Sequence, residues 1–232
     1  MKPNKLALIC ALLTAIFLMS CEMPGLPTVQ TGPDAEVSFD GLHRVDHSRA
    51  KMAWMKPDID LKDYKKIMLL GAGIEYRAVR HKAGRRTYSQ DTEFFGISDR
   101  QKEQVRATVR DAFYKELGKS KVFSLADTPG PDTLLIRGAL LDVVSRRPPD
   151  KAGRGQVYLA SYGEATLVIE VRDSMSTEIL ARAIDRRAAE PFGASGAQAN
   201  VVSAKVEVSR LASHWANTLR YRLEELMGQK AE

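Results

Sequence analysis

Apolar residues recur along this chain with two periods, and the alternation between them outlines the fold. Lys65-Lys66-Ile67-Met68-Leu69-Leu70 is a short apolar run closed by Gly71, which predicts a strand. A polar stretch follows to Gly96. Ser98 with Gln101 three residues on predicts a capping box at a helix start. Val105, Val109, Phe113 and Leu117 then recur at i, i+4 intervals as one apolar stripe, and Gly118 stands where the C-terminal cap belongs. The period next drops. Val122-Phe123-Ser124-Leu125 is a short strand, and Pro129-Gly130-Pro131 punctuates the chain. Thr133 to Ser145 is apolar on both faces, the mark of a central strand, with Gly138 expected at a bulge. Pro148 to Gly155 is a loop. Ala165, Leu167, Ile169 and Val171 alternate with Thr166, Val168, Glu170 and Arg172, the signature of a half-buried strand. Asp173 to Thr177 turns the chain, and Glu178 to Arg187 is expected to pair back antiparallel. After a loop of Gly, Ala and Ser, a helix is predicted from Ser203 to Met227. Its stripe is Val208, Leu211, Trp215, Leu219, Leu223 and Leu226.

The first strand, helix and second strand suit a crossover, and the later strands suit an antiparallel meander. The expected class is α+β: a mixed, largely antiparallel sheet with two amphipathic helices packed on one face. No internal repeat is present.

The N-terminus has a different pattern. Lys2 and Lys5 precede an uncharged stretch from Leu6 to Met19, too short for a spanning helix and the right length for an export signal. It ends in Leu18-Met19-Ser20-Cys21, which resembles the bacterial lipobox, whose cysteine is acylated and becomes the new N-terminus. Met19 is larger than usual at its position. Cys10 would leave with the signal and Cys21 would be consumed by lipid, so the mature chain would hold no free thiol. Glu22 follows; in enterobacterial lipoproteins an Asp there retains the protein at the inner membrane, so the resemblance implies the outer membrane. Pro24, Gly25, Pro27, Gly32 and Pro33 mark a linker with an r.m.s. reach of about 30 Å. The expected organisation is a signal at residues 1–20, the lipidated Cys21 with a flexible tether at 21–52, and one domain at 53–232.

The chain is 232 residues long, 44% hydrophobic and 28% charged, ordinary values for a soluble domain. Catalytic signatures are sparse. Gly71-Ala72-Gly73 follows a strand, yet Tyr76 holds the third position of a dinucleotide loop and no helix pattern follows. There is no P-loop, no Gly-x-Ser-x-Gly and no His-Glu-x-x-His. Ser195 has no strand before it. His43 and His47 lack a third metal ligand nearby, His81 lies in a basic loop, and His214 flanks an apolar stripe. No cofactor and no metal are expected.

Charge carries more information. Net charge is +6, and loss of Lys2 and Lys5 with the signal leaves +4. Arg77, Arg80, Lys82, Arg85 and Arg86 lie in one predicted loop, and Arg146, Arg147, Lys151 and Arg154 lie in another. If the two preceding strands are parallel neighbours, both loops leave one edge and all nine cations focus a positive potential. The alternative is two solvated loops at opposite ends. An anionic lipid, an envelope polymer or an envelope protein would be the partner; nucleic acid is not expected in that compartment.

Trp54-Met55-Lys56-Pro57, Asp60-Leu61, Tyr64 and Lys66-Ile67, with the lipobox, resemble a family of small bacterial lipoproteins catalogued only as a domain of unknown function. Pro129-Gly130-Pro131-Asp132-Thr133-Leu134 and the Asp173 turn resemble it as well. The resemblance implies an envelope location, with the domain facing the periplasm, and supplies no active-site residues. The helix–sheet order also resembles accessory domains of outer-membrane lipoproteins that help build envelope machines. The expected function is a non-catalytic binding or assembly module; the alternative is a periplasm-facing hydrolase or other enzyme without a recognisable motif.

Overall fold

A computed structural model describes residues 26–77, 98–145, 158–159, 163–189, 197–198 and 201–228. Its strands are β1 (Thr28–Val29), β2 (His43–Asp46), β3 (Met52–Met55), β4 (Lys66–Tyr76), β5 (Ser124–Ala126), β6 (Thr133–Ser145), β7 (Tyr158–Leu159), β8 (Gly163–Asp173), β9 (Ile179–Ala189) and β10 (Ala197–Gln198). Its helices are α1 (Asp99–Leu117) and α2 (Val201–Gly228). Eight strands form one sheet in the order β1-β2-β3-β9-β8-β6-β4-β5, and β10 pairs with β7 separately. β4 runs parallel to β5 and β6; the other pairings are antiparallel. This is the expected α+β class.

The central strands read as their composition dictates. Along β8 the residues at 163, 165, 167, 169 and 171 are buried and those between are half-buried. The register places Ile136 beside Val171 and Leu140 beside Leu167, so one face of β6 and β8 is a continuous apolar surface. Ile67 on β4 faces Leu134 on β6. Leu117 of α1 and Trp215, Leu223 and Met227 of α2 close one core over this face. The Trp215 indole N–H donates to Asp185 on β9 at 2.9 Å, satisfying the one polar atom that tryptophan carries inward.

Helix α1 opens on the expected box: the Gln101 N–H donates to the Ser98 hydroxyl at 3.3 Å, and the Gln101 side chain accepts from the Ser98 N–H at 2.9 Å. Gly118 is the C-cap, but with φ −66° it stays right-handed. Its need for glycine is space: a Cβ there would sit 3.0 Å from the Tyr114 carbonyl oxygen.

Three expectations are corrected. β4 does not stop at Gly71; it continues to Tyr76 through irregularities at Gly71/Gly73 and Ile74/Tyr76, and Gly73 takes φ +117°, which favours glycine. Gly138 pairs in register with Gly71 and Ile169 and makes no bulge; β6 bulges between Leu141 and Val144 instead. Most importantly, residues 26–52 do not form a tether. β1 and β2 extend the sheet, Leu42 is fully buried and Val45 is buried. Pro and Gly between short strands read as linker because two- to four-residue strands carry no period to detect. Cys21 lies outside the described residues.

Candidate functional site

Parallel pairing of β4 and β6 brings their C-terminal ends together. Tyr76 stands opposite Val143, and the Arg77 N–H donates to the Val143 carbonyl at 3.0 Å. Of the nine cations singled out in the sequence, Arg77 lies among the described residues. Arg80, Lys82, Arg85, Arg86, Arg146, Arg147, Lys151 and Arg154 lie outside them, as do His81 and Ser195. The strands that lead into the two basic segments are nonetheless parallel neighbours ending side by side.

Arg77 is not a free cation. Its guanidinium forks onto Asp142, with Nε 2.6 Å from Oδ1. Arg186 on β9 donates to Asp142 Oδ2 at 2.7 Å and pairs with Glu164 on β8 at 3.0 Å. Two arginines and two carboxylates thus bridge β4, β6, β8 and β9 with no net charge. Asp142 occupies the β6 bulge at φ +53°, a conformation that Asp tolerates better than most residues. Hydrogen bonds from Arg77 and then Arg186 hold its carboxyl down to about 2. The same bonds raise both guanidinium values. Sequence reasoning missed this cluster: Asp142, Arg186 and Glu164 lie far apart in the chain and gave no sign of meeting.

The first turn of α1 reaches the same end of the sheet. The Lys102 ammonium stands 5.7 Å from the Tyr76 ring centroid and pairs with Asp99 at 2.9 Å. The Tyr76 hydroxyl is buried with no hydrogen-bond partner among the described residues, and burial pushes it up to about 12.

A second ionic group lies on the sheet face opposite the helices. Arg182 on β9 binds Asp40 from the N-terminal segment at 2.5 Å and Glu170 on β8 at 3.1 Å, and Arg172 also binds Glu170 at 2.8 Å. Burial raises the Glu170 value, but the two arginines outweigh it and the net shift is downward. Next to this group the Arg44 guanidinium lies 4.9 Å from the Trp54 ring centroid.

The opposite end of the sheet gathers part of the family resemblance: Tyr64, the 129–132 segment and the Asp173 turn. The Tyr64 hydroxyl donates to Asp173 at 2.9 Å. The Ser174 hydroxyl accepts from the Gly130 N–H at 3.1 Å and donates to the Gly130 carbonyl at 2.9 Å. The Asp132 carbonyl accepts from the N–H groups of Lys65 and Lys66. The Ser176 N–H leads the bonds that lower Asp173. These groups bond to one another, so their chemistry locks the β8–β9 turn to β4 and β6.

The histidine pair does not converge on a ligand site. His43 Nδ1 lies 2.8 Å from the Gln30 carbonyl oxygen, and His47 sits in a turn at φ +54°. His214 is exposed on α2. Among the described residues no group of three His, Cys, Asp or Glu is placed to hold a metal ion, and no helix is long and apolar enough to cross a membrane.

The fold is thus a two-layer α+β domain whose polar groups are spent largely on holding its own strand ends. The chain belongs to the family described as protein of unknown function (DUF3313), whose model matches residues 35–219. No curated protein matches it. Among solved structures, the chain is similar to protein XCC0632 from Xanthomonas campestris, of family-model DUF330, at 14% identity over 88% of this chain and 95% of that one, TM-score 0.37. It is also similar to the hypothetical protein CT253 from Chlamydia trachomatis, at 10% identity over 71% and 98%, TM-score 0.36. The PelC dodecamer from Paraburkholderia phytofirmans gives 9% identity over 72% and 94%, TM-score 0.33.

Proposed function

We propose that this protein is a lipid-anchored component of the cell envelope that acts as a non-catalytic binding or assembly module. Cys21 carries the lipid, the anchor sits in the outer membrane, and the domain faces the periplasm. The observation that carries the binding reading is the parallel pairing of β4 with β6, because the two basic segments leave from neighbouring strand ends. Arg77 is held by Asp142 within the fold, so the partner is recognised by the other eight cations: Arg80, Lys82, Arg85, Arg86, Arg146, Arg147, Lys151 and Arg154. The partner is anionic. Cations grouped in this way focus a potential that draws an anion in and weakens with salt.

The acylated full-length chain, purified in detergent, is expected to bind dextran sulfate beads at low ionic strength and to elute as salt rises. Replacing Arg80, Lys82, Arg85 and Arg86 together with Gln should remove most of that retention. Retention unchanged by the four substitutions would refute the anionic-partner reading. Mass spectrometry of the N-terminal peptide tests the anchor separately: an unmodified Cys21 refutes it.

A further inference from the structure

We infer that the outermost edge of the sheet, formed by residues 26–39, rests on a bilayer surface; the inference builds on acylation of Cys21 as proposed above. Two independent observations meet here. The first is the length of the leash. The sheet begins at Thr28, so only Glu22, Met23, Pro24 and Gly25 separate Cys21 from Leu26. Five residue steps span at most about 17 Å when fully extended. Across eight strands the opposite edge, at β5, lies seven spacings away, about 34 Å. A leash this short keeps the β1 edge close to the lipid and holds the β5 edge off it.

The second observation is what that edge displays. The exposed large hydrophobic side chains among the described residues number nine, and three belong to this short stretch: Leu26 (82% exposed), Val37 (50%) and Phe39 (95%). Leu26 and Val37 follow the outer side of β2, and Phe39 stands in the 38–42 turn that leads into it. Val29 pairs with Val45, the Gln30 N–H donates to the Arg44 carbonyl, and Val37 bridges to His43. The chain therefore runs past β2 twice, with Leu26 at the start of this border and Val37 and Phe39 at its far part. Apolar side chains in water beside a short lipid leash are chemically matched to the headgroup–acyl boundary, where interfacial segments seat their apolar groups about 5–10 Å deep. The turn that carries Phe39 is fixed by its neighbour Asp40, which pairs with Arg182; that guanidinium lies 5.5 Å from the Phe39 ring centroid and leaves the ring exposed.

The test places a single environment-sensitive bimane label on the acylated full-length chain, reconstituted into phosphatidylcholine vesicles that contain nitroxide-labelled lipid. Variants Phe39→Cys and Leu26→Cys carry the label at the proposed edge, and Val122→Cys carries it beside β5. Leu26 and Phe39 are almost wholly exposed and Val122 is partly so; an unchanged circular dichroism spectrum of each labelled chain confirms the fold. The expected result is loss of most of the emission at Phe39 and Leu26, with emission at Val122 retained. Equal emission at the three sites in a chain whose N-terminal peptide is acylated overturns the inference and leaves the anchor standing. A peptide without lipid refutes the anchor and the inference together. Protection of the Phe39 label in detergent without vesicles, accompanied by a doubled mass, assigns the edge to a second copy of the chain and overturns the bilayer contact.

Discussion

Asp142 condenses the chemistry of the sheet end into one side chain. It combines a positive φ, a bulge and bonds from two guanidinium groups that reach it from different strands. Because its folded value lies near 2, below the ordinary 3.8, its contribution to stability is present above the unfolded value. That contribution fades as pH falls from about 4 through 2. Asp142→Asn keeps a residue tolerant of the left-handed conformation while removing the charge. The variant should lower the urea midpoint at pH 7, and the gap from the parent chain should close as pH approaches 2. A gap independent of pH would show that the bulge, rather than the ion pairs, depends on this residue. Sequence spacing did not single out Asp142, a lone acid near the end of a largely apolar strand. It was equally silent about Arg186 and Glu164, since contacts between β6, β8 and β9 depend on register, and a bulge displaces register by one residue.

Where an element's pattern is long, its bounds were legible in the sequence. Thr133 to Ser145 forms β6 as read, because Leu, Ile and Val recur on both alternate faces of this central strand despite Arg137 and Asp142. Helix α1 begins at the capping box for an equally local reason. Ser98→Ala removes the acceptor for the Gln101 N–H and should cost about 1 kcal/mol, measurable as a shift in the denaturation midpoint without a change in slope. A shift within error would mean that the cap adds nothing measurable to the packing that holds the helix. The elements that escaped notice are the short ones. β1 has two residues, and its pairing partner β2 lies beyond a loop that contains Gly32 and Gly41, so period and turn chemistry together suggested a linker. What organises this region is Leu42, buried with no exposure, and Asp40, bound to Arg182 on a strand far along the chain. Neither contact is local, so no window of sequence contains it.

At the scale of the whole molecule, the domain begins well before residue 53. A chain begun at Lys51 loses β1, β2, the Leu42 side chain and the Asp40–Arg182 pair. Loss of the Leu42 packing alone should cost about 2–4 kcal/mol. Compared with a chain begun at Leu26, it should unfold at markedly lower urea or fail to accumulate; equal midpoints would restore the tether reading for residues 26–50. The parallel arrangement of β4 and β6 was legible only as a condition, because strand direction follows from connectivity, and the crossover through α1 satisfies it. The β3–β9 pairing has a consequence in time. A ribosome makes the N-terminal strands first, yet Met52 pairs with Ile184, more than half the chain later. Strands β1 to β3 alone are a small, marginal hairpin array. They must wait, with an open backbone edge, until the β8–β9 hairpin has been synthesised. The segment that is born first is therefore secured last. Such long-range closure slows folding, and it makes the growing chain most vulnerable to aggregation before β9 emerges.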